Sequence, residues 1–223
     1  MTKLAIYDMD RTITHAPTWT AFLIQTVKAQ APWRLALLPL AGAATAAYGV
    51  KAINRGRLKQ VTQQLMLGRR MRDADAKRAA ARFADRITAS GVFTGARAQI
   101  AADKAAGYRL VMATASYRFY AGAIAERLGF DDVIATEVER VEDRLRARIS
   151  GENCYGPAKL RMIKAWMAAN HISRAQAQIR FYSDHVSDAP VLEWADEGFA
   201  VNAHGPLRKL ARERGWAIVD WAR

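Results

Sequence analysis

Residues 5–14, AIYDMDRTIT, place two carboxylates directly after a short apolar run. The run over residues 3–8 predicts a buried strand that ends at Asp8. Because side chains alternate along an extended chain, Asp8 and Asp10 can point the same way. In a doubly wound sheet the carboxyl ends of the strands meet at one crevice, where ligands bind. The opening of the chain therefore predicts a polar site at the edge of a sheet.

The chain beyond about residue 95 alternates strand-like and helix-like segments. Strands are predicted at 108–113, 132–135, 179–182, 198–201 and 216–219, with an exposed hairpin over 136–150. Helices are predicted at 97–106, 117–128, 157–170, 189–195 and 206–214. Repeating strand–helix units are typical of a parallel sheet covered by helices on both faces. The predicted fold class is therefore α/β, with a doubly wound parallel sheet.

Residues 18–89 differ from the rest of the chain because they are rich in Ala, Leu, Gln and Arg. They predict helices throughout, broken into pieces by Pro32, Pro39, Gly42, Gly49, Gly56 and Gly68. This segment directly follows the first strand. We therefore expect an all-helical cap domain over residues 16–91, inserted into an α/β core made of residues 1–15 and 92–223.

Charge is distributed unevenly along the chain, whose formal net charge is +13. From Arg11 to Arg72 there are ten Lys and Arg residues and no Asp or Glu. An anionic substrate, a membrane surface or nucleic acid near this segment would explain the asymmetry. A general basic bias with solvated faces is the alternative. Nucleic acid is the least favoured partner, because the six tryptophans are scattered rather than arranged as a stacking platform.

The apolar run over residues 35–50 carries no charge. A helix of that length spans about 24 Å, which falls short of the roughly 30 Å hydrocarbon core of a bilayer. Proline and glycine at Pro39, Gly42 and Gly49 weaken it further. We therefore predict buried cap helices over this run. A helix lying in a membrane interface is the alternative.

Two features bear on the cellular location. The single cysteine, Cys154, excludes an internal disulfide, which fits a reducing compartment. No apolar signal core follows Met1, because the chain runs directly into the first strand. We expect a cytoplasmic protein, with association at the inner face of the membrane as an extension of that expectation.

Four polar segments follow predicted strands or begin the next helix. They contain Asp8 and Asp10, Thr114 and Ser116, Lys159, and Asp184 and Asp188. A cluster of carboxylate oxygens suits Mg²⁺ better than zinc. A divalent cation and Lys159 would also offset the mutual repulsion of the acids. The hydroxyls and backbone N–H groups of Thr114 and Ser116 suit a phosphate.

These segments resemble the motifs of the haloacid dehalogenase superfamily, and specifically its phosphoserine-phosphatase-like subfamily IB. The resemblance is carried by AIYDMDRTIT (5–14), RLVMATAS (109–116), NCYGPAKL (153–160) and FYSDHVSDAPVLEWAD (181–196). It implies the family's α/β core with a helical cap of C1 type after the first strand. It also implies a Mg²⁺-dependent phosphatase.

The resemblance implies a role for each matching residue. Asp8 would attack phosphorus and become an aspartyl-phosphate, and Asp10 would act as the acid–base residue. Thr114 and Lys159 would neutralise the phosphoryl oxygens. The predicted metal site draws on the Asp8 carboxylate, the Asp10 backbone carbonyl and the Asp184 carboxylate. In this site Asp188 would orient metal-bound water and Lys159.

Four further residues are candidates for substrate contact: Arg11, Thr12, His15 and Ser116. Arg11 stands where the family usually has Gly in the first motif. It either clamps a second anionic group of the substrate or points into solvent. His15 either touches the substrate at the hinge of the cap or simply packs there.

The acid-free segment also bears on the substrate. Amino-acid phosphatases of the subfamily hold the substrate ammonium with a cap glutamate soon after the first motif. This chain has no acid between Asp10 and Asp73. We therefore expect a phosphomonoesterase for an anionic or lipid phosphate, in peripheral contact with an anionic membrane. The pattern of residues 31–57 resembles the cap of bacterial phosphatidylglycerophosphatase C, a member of the same subfamily.

Two other functions stay open at this point. One is a phosphatase of small metabolites such as phosphoserine or histidinol phosphate. The other, more remote, is a non-catalytic anion-binding protein on a phosphatase scaffold, against which the intact catalytic acids argue.

Overall fold

The computed structural model describes residues 1–221. Its strands are β1 Thr2–Tyr7, β2 Arg70–Arg72, β3 Arg109–Tyr117, β4 Asp132–Val141, β5 Arg144–Ser150, β6 Ala177–Ser183, β7 Glu197–Val201 and β8 Ala217–Val219. Its α-helices are α1 Thr18–Gln30, α2 Leu38–Gly49, α3 Arg55–Leu67, α4 Asp73–Ser90, α5 Thr94–Ala105, α6 Arg118–Arg127, α7 Pro157–Ala169, α8 Ala189–Trp194 and α9 Gly205–Arg214. Short 3₁₀ turns lie at Pro32–Leu37, Arg174–Gln176 and Val186–Asp188.

The strands form one sheet in the order β2-β5-β4-β3-β1-β6-β7-β8. The strands from β4 to β8 in that order pair in parallel. Strand β5 pairs antiparallel with both β4 and β2. Parallel pairing requires crossover connections, and here the helices supply them. The predicted doubly wound α/β fold is confirmed.

The central strand β1 builds a hydrophobic core on each face of the sheet. Ala5 and Tyr7 pack in the cluster that includes residues of α4, α5 and α6. Leu4 and Ile6 pack in the cluster that includes residues of α7, α8 and α9. All four side chains are fully buried. A strand covered on both faces reads as a continuous apolar run.

The inserted segment is helical except for one short strand. Helix α3 is followed by Gly68, whose φ of 89° lies in the left-handed region that favours glycine. The chain then forms β2, which pairs with β5 of the 136–150 hairpin and covers its edge. The expectation that residues 16–91 are entirely helical is corrected to this extent.

Helix α4 lies against the core rather than apart from it. Its buried residues Ala76, Ala80 and Phe83 recur at helical spacing on one face. They belong to the same cluster as Tyr120 and Ile124 of α6. The domain boundaries at residues 15/16 and 91/92 stay a prediction.

The segment over residues 35–50 is not buried, so the prediction of buried cap helices there is wrong. Neither α2 nor the 3₁₀ turn before it buries a single residue. The physical reason is that α2 is apolar on every side, and its packing against α3 and the 3₁₀ turn leaves part of that apolar surface uncovered. None of the helices within residues 1–221 is long and apolar enough to cross a membrane.

Candidate active site

The predicted catalytic segments meet at the carboxyl edge of the sheet, because β3, β1 and β6 are neighbours in it. Asp8 follows β1, and its backbone N–H donates to the carbonyl of Tyr182 in β6 at 2.9 Å. Thr114 lies near the end of β3, and Asp184 follows β6. The topology thus brings side chains that are distant in sequence to one crevice.

Lys159, on α7, joins two of the carboxylates. Its Nζ donates to Oδ1 of Asp8 at 2.8 Å and to Oδ2 of Asp188 at 2.6 Å. All three residues are buried. Burial favours the neutral amine, but the charges of Asp188 and Asp8 outweigh it and raise the pKa of Lys159 above its ordinary value. The lysine is therefore a permanent cation within the site.

The turn before α7 delivers Lys159 to this position. Gly156 has φ 59° and ψ −136°, a conformation that is essentially restricted to glycine. Pro157 then begins the helix, where its fixed φ is already suited to helical geometry. The backbone N–H of Lys159 donates to the Gly156 carbonyl at 3.0 Å. The glycine and proline of the NCYGPAKL segment therefore fix the direction in which the lysine enters the site.

The hydroxyl of Thr12 holds Asp8 and Asp184 together. Its Oγ1 accepts from the backbone N–H of Asp184 at 3.0 Å and lies 3.4 Å from a carboxylate oxygen of each acid. Thr12 is fully buried and does not line the pocket above the acids. The structure therefore places Thr12 beneath the two carboxylates, which it positions.

Burial raises the pKa of both of these carboxyl groups. Burial is the largest influence on Asp8; Lys159 opposes it, the charges of Asp188 and Asp184 reinforce it, and the pKa rises above its usual range. For Asp184, burial and the charge of Asp188 raise the pKa to about 6. A divalent cation between the two groups would favour their ionised forms.

The donor set fits a hard cation such as Mg²⁺. Within residues 1–221, no three His, Cys, Asp or Glu side chains converge closely enough to hold a metal by themselves. Two carboxylates, Asp8 and Asp184, with a backbone carbonyl and water, match the preference of Mg²⁺ for few protein ligands and several waters. Oδ1 of Asp188 is buried without a hydrogen-bond partner among the same residues. A water bound to the cation would satisfy it.

Asp10 accepts hydrogen bonds from both the core and the first cap helix. Its Oδ1 accepts from the backbone N–H and the hydroxyl of Thr18, the first residue of α1, at 2.8 and 2.7 Å. Its Oδ2 accepts from the hydroxyl of Ser116 at 2.9 Å. Tyr120 completes the network by donating to Oγ of Ser116 at 2.6 Å. Core and cap therefore orient this carboxylate together.

Thr114 and Ser116 lie close together in β3 but face different spaces. Thr114 lines the polar pocket, and its Oγ1 accepts from the backbone N–H of Ser116 at 3.1 Å. Ser116 lines a second, apolar cavity, where it holds Asp10. Thr114 is thus placed to meet a phosphoryl oxygen, whereas Ser116 orients the neighbouring acid.

Two cavities meet at this site. The polar pocket, of about 340 Å³, is lined by Asp8, Asp10, Arg11, Pro17, Arg55, Thr114, Ala115, Tyr155, Lys159, Asp184, His185, Ser187, Asp188 and His204. The apolar cavity, of about 530 Å³, lies among α1, α2 and α3, and its apolar lining includes Trp19, Leu23, Ile24, Leu38, Ala41, Leu58 and Met66. Both cavities are lined by Asp10, Pro17, Arg55 and Ala115, so the two spaces adjoin.

Two of the substrate-contact candidates have different surroundings. Arg11 is exposed, lines the polar pocket and adopts a φ of 63°, a strained value for a residue with a side chain. His15 packs edge-on against Phe93 with ring centroids 4.5 Å apart, where the chain enters and leaves the cap. The structure brings Arg11 to the site and leaves His15 at the hinge, outside both cavity linings.

Sequence reasoning missed Arg55, Tyr155 and His204, which also line the polar pocket. The guanidinium of Arg55 lies 4.5 Å from the ring centroid of Tyr155. The His204 ring stacks on His185 with centroids 4.4 Å apart. Tyr155 carried a signal, because it lies inside the NCYGPAKL segment. Arg55 and His204 carried none, since only the packing of the cap and the order of the strands bring them here.

Comparisons with known proteins agree with this geometry. Residues 5–193 match the family described as haloacid dehalogenase-like hydrolase. Phosphoserine phosphatase SerB1 of Mycobacterium tuberculosis is 31% identical over 137 residues, which are 61% of this chain and 44% of that protein. The chain therefore spans less than half the length of this curated relative.

Solved structures share the fold. A protein of unknown function from Bordetella pertussis Tohama I superposes with a TM-score of 0.89 over 99% of both chains, at 24% identity. A phospho-aspartyl intermediate analogue of phosphoserine phosphatase gives a TM-score of 0.64 over 99% of this chain and 93% of that one, at 17% identity. At such identities the likeness establishes the fold alone. Because the family match spans most of the chain and includes the residues that meet at the strand ends, this chain belongs to the haloacid dehalogenase-like hydrolases, among which it resembles the phosphoserine-phosphatase-like members.

Proposed function

We propose that this chain is a Mg²⁺-dependent phosphomonoesterase that works through an aspartyl-phosphate. The observation that carries the proposal is the buried contact of Lys159 with Asp8 and Asp188 beside a polar pocket. In the first step an Asp8 oxygen attacks phosphorus, and the bond from phosphorus to the alcohol oxygen breaks. Lys159 and Thr114 balance the charge on the phosphoryl oxygens.

Asp10 is the acid–base residue in this proposal. Its protonated form gives a proton to the departing alkoxide. The resulting carboxylate then takes a proton from the water that attacks the aspartyl-phosphate, which releases inorganic phosphate and restores Asp8. The hydrogen bonds from Thr18 and Ser116 hold Asp10 where the two cavities adjoin, and this is where a leaving alcohol would lie.

The cation would be held by the Asp8 and Asp184 carboxylates and the Asp10 backbone carbonyl, with Asp188 reaching it through water. When bound, Mg²⁺ supplies neutralisation of the phosphoryl charge. Asp188 is anchored for this task, because its Oδ2 accepts from both Lys159 and the hydroxyl of Ser183, the latter at 2.8 Å.

The proposed substrate class is an anionic phosphate ester with an apolar tail, that is, a lipid phosphate. Its phosphate would occupy the polar pocket, and its tail would pass Asp10 into the apolar cavity among α1, α2 and α3. The volume of that cavity is in the range of small-molecule sites. Each buried methylene stabilises the complex by about 0.8 kcal/mol, so longer tails should bind more tightly.

The charges around the polar pocket support an anionic substrate. Its carboxylates are Asp8, Asp10, Asp184 and Asp188, and each of them already has a catalytic or positioning role. None is left to bind a substrate ammonium. Arg11 and Arg55 line the same pocket and would instead bind a second anionic group. A lipid phosphate would be met at an anionic membrane, so peripheral membrane contact belongs to the same proposal.

A phosphatase of small metabolites is the second candidate function. It is favoured by the name of the Mycobacterium tuberculosis relative, a phosphoserine phosphatase. Phosphoserine and histidinol phosphate both carry an ammonium group, for which this pocket offers no spare carboxylate. The apolar cavity would also have no use in binding such a substrate. A non-catalytic anion-binding protein would have no use for the Lys159–Asp8 contact.

A series of alkyl phosphates of increasing chain length, assayed with Mg²⁺ below their micelle concentrations, tests activity and substrate class together. We expect kcat/KM to rise from ethyl phosphate to dodecyl phosphate and to be low for phosphoserine. Asp8→Asn should abolish all turnover, whereas Asp143→Asn, an exposed residue of the hairpin turn, should retain it. Turnover by Asp8→Asn would refute the nucleophile, and phosphoserine as the best substrate would refute the lipid-phosphate assignment.

A further inference from the structure

Exposed large apolar side chains are concentrated in and next to helix α2. Within residues 1–221 the large hydrophobic residues that are exposed include only Met1 and Val141 outside this region. All the others lie in the 3₁₀ turn, in α2 or directly after α2: Trp33, Leu38, Leu40, Tyr48 and Val50. Such a concentration of exposed apolar side chains in one segment indicates a site of interaction.

One side of helix α2 lines the apolar cavity, and the other side is uncovered. Leu38, Ala41 and Thr45, at helical spacing, line the apolar cavity. Leu40, 56% exposed, and Val50, just after the helix and 77% exposed, line neither cavity of the active site. A helix that is apolar on every side is normally buried in a core or in a membrane. The outer side of α2 has no such cover among the residues that the structure describes.

Cations follow this uncovered side closely in the sequence. Lys51 lies directly after it, and Arg57 lies in the first turn of α3; both are exposed. The guanidinium of Arg34 lies over the ring of Trp33, 4.6 Å from the ring centroid, and Trp33 is 65% exposed. No Asp or Glu occurs from residue 11 to residue 72 to offset these charges locally. An apolar strip with a tryptophan and basic neighbours is typical of helices that lie in a membrane interface.

Charge and length decide between the partners that could cover the strip. A second copy of this chain would bring two basic, acid-free segments together, and the formal charge of each copy is +13. Like charges of that size oppose such a dimer. Helix α2 has 12 residues and is about 18 Å long, which suits lying along an interface rather than crossing a bilayer. An anionic bilayer complements both the apolar strip and its cations.

We propose that Trp33, Leu40 and Val50, flanked by Lys51 and Arg57, form a docking surface that inserts into the interface of an anionic membrane. The opposite side of the same helix walls the apolar cavity, so docking would place that cavity beside the acyl chains. This inference deepens the proposed function and rests on it for the route of the substrate. Docking itself requires no catalysis.

Vesicle flotation tests the docking surface directly. The probes are vesicles of phosphatidylcholine alone and of phosphatidylcholine mixed equally with phosphatidylglycerol. The wild-type chain and Asp8→Asn should both float with the anionic vesicles at low salt, and high salt should weaken binding. The double variant Leu40→Glu/Val50→Glu should lower the bound fraction by about tenfold or more. Val141→Glu, the same kind of change at an exposed position of the hairpin, is the matched control and should float like wild type.

Hydrolysis of p-nitrophenyl phosphate by each variant separates docking from folding and from catalysis. Leu40 and Val50 line neither cavity, so the double variant should retain this activity while losing flotation. Three outcomes would overturn the docking surface: no flotation with anionic vesicles at low salt, equal flotation with neutral ones, or a dimer in sedimentation that the double variant dissociates. Flotation without any phosphatase activity would refute the proposed function and leave the docking surface standing.

Discussion

The amine of Lys59, on cap helix α3, donates hydrogen bonds to Oδ1 of Asn153 at 3.0 Å and to the carbonyl of Ala115. The hydroxyl of Thr136 in the core lies within hydrogen-bond distance of the same two acceptors, at 3.0 and 2.8 Å, and can donate to one of them at a time. Lys59 is buried and lies 4.3 Å from the ring centroid of Tyr117. One cap side chain therefore holds the end of β3, which bears the candidate phosphate-binding residue, and the segment that leads to the candidate catalytic lysine, Lys159.

Lys59→Met should weaken catalysis through loss of this connection. Ala115 and Asn153 would each lose a donor, and the cap would be less firmly placed over the site. Two hydrogen bonds from the buried amine are lost, each worth about 0.5–1.5 kcal/mol, which together correspond to a decrease in kcat/KM of about 5- to 150-fold. Steady-state kinetics with an alkyl phosphate measure it. Lys28→Met, an exposed cap lysine, is the control, and an equal effect in both variants would contradict the role of Lys59.

The stability of the protein should rise with pH because of Lys59. Burial, followed by the charge of Arg55, lowers the pKa of Lys59 to about 7. In the unfolded chain a lysine titrates at about 10.4. Between these values the unfolded chain binds a proton that the folded chain has released, so the free energy of unfolding increases with pH.

From about pH 7.5 to about pH 9.5 we expect a gain of about 2 kcal/mol in the free energy of unfolding, measured by urea denaturation without Mg²⁺. Lys59→Met should abolish most of this rise, and Lys28→Met should preserve it. A wild-type stability that is flat or falls across the window would show that Lys59 remains charged in the folded protein.

The core of the fold was predictable because local pattern and tertiary role coincide there. The apolar run before Asp8 reads as a buried strand, and the structure has β1 at that place. The helix over 157–170 was signalled by Pro157 at its start, and α7 begins there. Once the fold is a doubly wound sheet, the ends of β1, β3 and β6 have to meet, so the convergence of their polar residues follows from topology.

The cap was less predictable because hydropathy does not report which side of a helix has a partner. The uncharged run over 35–50 favoured burial, yet Leu40 lies on the outside of the molecule. The reverse holds for Lys59, a charged residue that is buried through contacts with segments far along the chain. Both outcomes depend on how the cap packs, which no local pattern encodes.

Mg²⁺ binding should weaken as the pH falls below about 6. Burial and the charge of Asp188 raise the pKa of Asp184 to about 6, and burial raises that of Asp8 as well. The cation takes ionised carboxylates, so protons compete with it. We expect an affinity at least about tenfold lower at pH 5 than at pH 7.5 in calorimetric titrations, with proton release on binding. Asp184→Asn should bind no Mg²⁺, and Asp143→Asn should bind it normally; equal affinity at both pH values would contradict this site.

Narrowing the apolar cavity should change the preference for long substrates. Gly42 lines the cavity, and a Cβ built on it meets no atom within 4 Å, so a side chain can begin there without displacing the backbone; Gly42→Phe is designed to put a ring into the cavity. The ring would exclude a tail, and the ratio of kcat/KM for dodecyl phosphate to that for ethyl phosphate should fall about tenfold or more. Gly49→Phe, on the same helix but outside the cavity lining, is the matched control. An unchanged ratio in Gly42→Phe would mean that the tail lies elsewhere.

Arg11→Gly tests two properties of residue 11: the strain of its backbone, through protein stability, and its part in substrate binding, through KM. The left-handed φ of 63° is unfavourable for arginine and acceptable for glycine, so relief of strain, less the added freedom of the unfolded chain, should stabilise the protein by about 0.5 kcal/mol. Loss of the guanidinium from the polar pocket should raise KM about tenfold for a substrate with a second anionic group besides its phosphate. The KM for simple alkyl phosphates, which have no second anionic group, should not change. Arg11→Lys keeps the charge and the strain, so it should show neither the gain in stability nor the full rise in KM. A KM that does not respond to Arg11→Gly would place this side chain in solvent. Of the two arginines in the pocket, Arg55 would then be the one that binds the second anionic group.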